Sequence, residues 1–340
     1  MNAEWLGLST VSIRSIPSIR ATAFRLLTSV FCILSSVFCL LDSVVQEKRY
    51  SVGANSLNGL TLQHLPEDRR LAVEQVWRAF SNVGGLAGLF ITGSVARGLD
   101  GPDDLDIIAI WDRPLTDRQR QELVTRCRGR RVGDPDTDRF DLHGVVPEFH
   151  FMAGKDQVRQ MISGFCWRSE LPPESDADRV EGMLASLVDA VPVYDPEALV
   201  HQWQKMLSDD YPQQYQVKRV HEQYAAACRR LAHLHRCGWR YDLFYWMQSR
   251  LVYTEHIVKA LVSLNRRFYW GQKWIQQQVE RLPLKPENTW PRICTVLSTE
   301  ADASVLEMTS LALSVGKIIG ATLPGVDVEF SLKIIRNLKK

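Results

Sequence analysis

Two apolar runs flank a polar interval near residue 100. Leu89, Phe90 and Ile91 stop at Gly93, and Leu105, Ile107, Ile108, Ala109 and Ile110 follow a polar loop at 99–103. Short apolar runs of this kind, ended by glycine, read as buried strands. Gly93 permits a sharp turn and the close approach of another group to its backbone. Ser94 suits the cap of one helical turn over Val95, Ala96 and Arg97, which Gly98 ends.

Elsewhere the apolar period is helical. Leu71, Val73, Val76, Trp77 and Phe80 predict an amphipathic helix over 66–80, with Pro66 suited to its first turn. A charged helix is expected over 116–127, with Leu123, Val124 and Cys127 as its apolar face, and a polar loop at 129–138. Strands at 139–143 and 145–152 are expected to complete a small mixed sheet, covered by a helix at 155–165. From Tyr211 on, helices are predicted over 213–237, 241–266, 272–282, 291–297 and 303–323, with one strand at 326–330. The expected fold class is therefore α+β: a small mixed sheet with flanking helices over 65–195, then an all-helical bundle over 196–340.

The first 64 residues fit neither half. Residues 26–41 are apolar apart from Thr28, Ser29, Ser35 and Ser36, and Arg14, Arg20 and Arg25 precede them. Sixteen residues are short for a membrane span, and no A-x-A cleavage signal follows cleanly. Arginines on that side would also send the remainder of the chain outward. The segment is read as a dispensable extension and linker on a cytoplasmic protein, with weak membrane association through 26–41 as the alternative. Composition narrows the rest. A length of 340 residues allows one large or two ordinary domains. A net charge of +2 gives no strong nucleic-acid signal. Seven scattered cysteines, without C-x-x-C or zinc spacing, read as reduced thiols.

Chemistry concentrates at the second strand. Asp104 and Asp106 are two apart, so on a strand both carboxylates leave by one face. Paired carboxylates repel and cost desolvation unless a cation compensates, and Mg²⁺, shared with substrate phosphates, is the expected one. Asp103 is expected to point the other way.

G-S-x-A-R-G, a D-L-D pair beginning at Asp104, and an apolar strand on each side together resemble the nucleotidyltransferase superfamily of polymerase-β-like fold. The likeness is narrower to the small-molecule branch that includes the kanamycin and streptomycin nucleotidyltransferases. The motif covers about twenty residues and the wider likeness runs from about residue 65 onward. The resemblance implies transfer of a nucleoside monophosphate from ATP or another nucleoside triphosphate to an acceptor hydroxyl, releasing pyrophosphate. It implies Asp104 and Asp106 as catalytic metal ligands, with a third acid on a later strand. Glu148 is the candidate for that third acid and Asp141 its competitor. Glu148 and His150 are expected on one face of their strand, Phe149 and Phe151 on the other, and Pro147 demotes the segment to an edge. Gly93 and Ser94 would cradle the terminal phosphates, with Arg97 adding a charge-assisted bond or bracing the loop. Asp103 departs from the Ser that commonly precedes the first Asp of the pair.

By the same resemblance a helical bundle closes over the nucleotide, holds the acceptor and supplies a cation. Asn265, Arg266, Arg267 and Lys273, around Gly271, form the stretch best suited to the triphosphate, and Lys273 is the residue singled out. Glu255 with His256, and Glu222 with His221, are candidate bases. The acceptor is expected to be a small molecule and is not named by the sequence. Two rival readings are a catalytically silent nucleotide-binding module and a helical ribonuclease of toxin–antitoxin type. The second rests on Arg230 and His235, whose five-residue separation is off the best helical match.

Overall fold

The computed structural model describes residues 63, 65–99, 104–127, 130–131, 140–142, 145–168, 174–237 and 243–336. The expectations for residues 1–62, Asp103 and the loop at 132–138 lie outside them. From Leu57 onward the chain forms one compact unit.

Helix α1 (Glu67–Ser81) leads into strand β1 (Leu86–Ile91), the one-turn helix α2 (Gly93–Ala96) and strand β2 (Asp104–Trp111). Helix α3 (Asp117–Arg126) follows. Its start is fixed by Thr116, whose side chain accepts from Gln119 N while the Gln119 side chain reaches back to the Thr116 N–H. Then come β3 (Arg130–Arg131), β4 (Phe140–Asp141) and β5 (Val146–Gly154). Helices α4 (Lys155–Arg168) and α5 (Glu174–Val188) precede β6 (Val191–Tyr194) and α6 (Leu199–Asp209).

The sheet has the order β5-β2-β1-β6. β1 pairs antiparallel with β2 and β6, and β2 pairs parallel with β5, so the sheet is mixed as expected. Pro147 does sit on an edge strand. Two expectations fail here. Residues 140–141 do not join this sheet but pair with Arg130–Arg131 as a separate ribbon. Strict alternation over 148–151 also fails: Phe149 is opposite Ile107 and Phe151 opposite Ile108, so His150 is the extra residue of a bulge.

The strand period sorts the core. Leu89, Ile91, Leu105, Ile107 and Ala109 bury against α1 and α3. Phe90, Ile108 and Ile110 bury on the other face against α4, α5 and α6. That second core also takes in Tyr211, Tyr215 and Phe268, so it runs on into the helical half.

The helical half comprises α7 (Gln213–Cys237), α8 (Leu243–Leu264), α9 (Ile275–Glu280), α10 (Thr289–Ser298), α11 (Ala301–Thr322) and α12 (Val328–Arg336). Its core joins α7, α8, α10, α11 and α12 through residues such as Leu231, Ile257, Leu261, Ile293 and Leu311. The strand expected at 326–330 is instead the start of α12, because Val328, Leu332 and Ile335 are buried at helical spacing.

Candidate active site

The turn after β1 is built around Gly93. Thr92 N–H donates to Asp106 O at 2.9 Å, continuing the β1–β2 ladder, and the Thr92 hydroxyl donates to Ser186 O of α5 at 2.8 Å. Gly93 then takes φ +66°. A Cβ at Gly93 would fall inside the Asp106 carboxylate, 2.6 Å from its Cγ and 2.9 Å from its Cβ. Both the backbone angle and the approach of Asp106 therefore require glycine. As at any helix start, the N–H groups of Gly93, Ser94 and Val95 have no partner within the turn. The Ser94 side chain is buried. Gly98, at φ +64°, closes the turn, with Gly98 N–H donating to Val95 O at 3.1 Å and Leu99 N–H to Ser94 O at 2.9 Å.

Asp104 and Asp106 are half-buried, while Leu105 and Ile107 between and beside them are fully buried. The two carboxylates therefore share the face that carries Ile108 and Ile110 further along the strand. Helices bury those isoleucines, whereas both carboxylates are only half-buried. Glu148 is the register partner of Asp106 across the parallel β2–β5 ladder. The side chains of Glu148 and Asp141 lie outside the described residues. Among the described residues no group of three His, Cys, Asp or Glu side chains is placed to hold a metal. What they offer is the Asp104–Asp106 pair. Two hard oxygen donors on one half-open face, one of them against a glycine with no side chain, fit a divalent cation of the Mg²⁺ type.

Arg97 is held from two sides. Its Nε donates to Asp189 Oδ2 at 2.7 Å, and its guanidinium lies 4.4 Å from the Trp270 ring centroid. Arg281 donates twice to the Arg97 carbonyl, at 3.2 and 3.1 Å, and lies 5.8 Å from the same ring. The arginine thus braces the turn against the bundle. Asp189, Trp270 and Arg281 carry this brace, and the sequence reading did not find them. Lys273 is exposed, three residues past Trp270 and beyond Gly271 at φ +93°. Chain length keeps it within roughly 11 Å of that tryptophan. Asn265 clamps two turns together: its Nδ2 donates to Leu261 O and Leu284 O, and its Oδ1 accepts from Leu284 N–H. Arg266 and Arg267 are exposed beside it.

Deeper in the bundle, Glu255 pairs with Lys259 at 2.9 Å and accepts from Gln272 at 3.3 Å. His256 Nδ1 lies 2.8 Å from Gln223 Oε1. Burial, then the nearby Lys259 ammonium, push the His256 pKa down and favour neutral imidazole. Glu222 is exposed and His221 half-buried on α7. Arg230 is half-buried and His235 exposed in the last turn of the same helix.

Residues 180–275, from α5 to the start of α9, match the DUF4037 family model, described as a domain of unknown function. No curated protein matches. The chain is similar to a nucleotidyltransferase-like protein from Exiguobacterium sibiricum, at 11% identity and TM-score 0.35, over 75% of this chain and 80% of that one. It is also similar to a spectinomycin adenyltransferase from Enterococcus faecialis solved with ATP and spectinomycin. There the identity is 14% and the TM-score 0.25, over 72% of this chain and 96% of that one. Likenesses this loose carry no weight for the chemistry, which rests on the residues above.

Proposed function

We propose that the chain is a nucleotidyltransferase, moving a nucleoside monophosphate from ATP or another nucleoside triphosphate to a hydroxyl of a small acceptor. The observation that carries this reading is the Asp106 carboxylate lying in the space a Gly93 side chain would fill. It sets the second acid of the pair directly against the glycine turn after β1. In the reaction the acceptor oxygen bonds to the α-phosphorus, the bond from that phosphorus to the pyrophosphate breaks, and the hydroxyl proton is lost. Asp104 and Asp106 would hold Mg²⁺, with Glu148 as the expected third ligand; the ion, when bound, neutralises triphosphate charge. The N–H groups of Gly93 and Ser94 bind the terminal phosphates. Arg97, fixed by Asp189 and Trp270, keeps that turn in place, and Lys273, three residues past Trp270, is the cation proposed to meet the triphosphate. Placement, rather than covalent catalysis, supplies the rate. The protein works in the cytoplasm, where nucleotide is available.

Pyrophosphate release with each nucleoside triphosphate, across a panel of hydroxyl acceptors, tests the reading. Release is expected with at least one pair, falling at least 100-fold in Asp104→Ala. A rate unchanged in Asp104→Ala would overturn it. Nucleotide binding without release across the panel would leave the silent binding module in its place.

A further inference from the structure

Three successive residues before α9 have their backbone fixed by buried side chains. Gln278, 2% exposed, donates from Nε2 to Phe268 O at 2.9 Å and accepts from Trp270 N–H at 3.4 Å. Tyr269 N–H donates to Glu181 Oε1 at 3.1 Å, and the other oxygen of Glu181 accepts from Arg219 at 2.9 Å. The segment also passes through the left-handed region at Arg266 (φ +54°), Gly271 (+93°) and Trp274 (+64°). Two of these are not glycine, and such residues hold that conformation only where their surroundings impose it. A buried ion pair seldom adds net stability over apolar groups of the same size. What Glu181 and Arg219 do is hold one carboxylate still, and with it the backbone that leads into Trp270.

The far end of this chain of contacts is the turn after β1. The Trp270 ring centroid lies 4.4 Å from the Arg97 guanidinium and 5.8 Å from that of Arg281, which itself donates twice to the Arg97 carbonyl. α5 meets the same turn from another side. It carries Glu181, its Ser186 carbonyl accepts from the Thr92 hydroxyl, and Asp189, just past its end, accepts from Arg97. The turn is thus held between α5 and the tryptophan, and α5 in turn fixes the backbone of the tryptophan's neighbour. A cation over an aromatic face is attracted by the ring quadrupole, which an aliphatic side chain of similar bulk does not supply.

We infer that Trp270 is a positioning residue for nucleotide binding: held in place by Glu181 and Gln278, it acts through Arg97 to keep the N–H groups of the Gly93 turn aimed at the terminal phosphates. The inference rests on the transfer reading for what the turn binds, and on the contacts above for what holds the turn. Two measurements on the full chain test it. The first is hydrogen exchange, read by mass spectrometry, at the amides of residues 96–99, each bonded within the turn. Exchange there is expected to quicken at least fivefold in Trp270→Leu and to stay at the parent rate in β2 and α8. The second is the affinity for ATP and for AMP, by calorimetry. Trp270→Leu should bind ATP about tenfold more weakly, the size a partly desolvated cation–π contact carries, and AMP as the parent does, because AMP lacks the terminal phosphates. Trp270→Phe, which keeps a ring face, should recover most of the loss. The double variant Glu181→Leu, Arg219→Met, which removes the acceptor of the Tyr269 N–H without leaving a buried charge unpaired, should behave as Trp270→Leu. Unchanged exchange at 96–99 in Trp270→Leu would overturn the inference and leave the transfer reading standing. Equal losses of ATP and AMP affinity would also overturn it, as the mark of a residue that serves only the fold. Quickened exchange with ATP affinity unchanged, or a parent that binds no ATP or other nucleoside triphosphate, would overturn the phosphate role given to the turn, and this inference with it.

Discussion

Gly93 is constrained twice, by its left-handed backbone and by the carboxylate against its Cα, so Gly93→Ala acts on fold and site together. Left-handed strain and the clash with Asp106 are expected to lower stability by about 1–3 kcal/mol, measured by urea denaturation, and to abolish transfer. Asp106→Asn keeps the shape and removes the charge. It is expected to leave the melting temperature within a few degrees of the parent while pyrophosphate release falls at least 100-fold. If Asp106→Asn lost stability and kept activity, the carboxylate would be part of the scaffold instead. Much at this scale was legible in advance. Glycine after an apolar run, and acids two apart at a strand start, are local signals. Asp189 and Arg281 were not legible, because they lie 92 and 184 residues from Arg97 and only the fold joins them.

Among the elements, those with a clean period were read correctly and those fixed by packing were not. β6 is short and contains Pro192, so its pattern is too brief to separate from a loop; its pairing with β1 makes it a strand. Val326, Val328 and Phe330 alternate like a strand, and the apolar side of α7 overrode that preference. Two predictions belong here. Thr116→Ala breaks the reciprocal cap of α3 and should cost about 1 kcal/mol by denaturant titration. Asp195 accepts from Leu199 N–H at 2.7 Å and Val200 N–H at 3.0 Å at the start of α6, yet burial outweighs these bonds and raises its pKa from 3.8 to about 6. A carboxyl raised on folding adds stability that is fully present below its unfolded pKa and lost as pH rises through the folded one. Thermal stability should therefore lose a contribution between about pH 4 and pH 6, and Asp195→Asn should flatten that slope. An identical pH profile in the variant would show that the carboxyl does not titrate there.

At the level of the whole molecule, the α/β and helical halves are joined through three successive residues. Phe268 packs with Phe165, Tyr211 and Tyr215 in the core on one face of the sheet. Tyr269 N–H donates to the fully buried Glu181, which also accepts from Arg219 at 2.9 Å. Trp270 lies against Arg97. Removing one partner of a buried ion pair leaves the other uncompensated, so Arg219→Met should cost about 3–5 kcal/mol. Adding Glu181→Leu to it should recover part of that loss, as denaturation of the single and double variants would show. A join of this kind also bears on how the chain can be taken apart. A fragment ending near residue 195 would leave Phe165 and Glu181 without the neighbours that cover them, and a fragment beginning there would strip Phe268 of its seat. Neither piece is a ready-made module for grafting onto another scaffold, so new acceptor specificities are better sought by altering loops within the intact chain than by exchanging its halves.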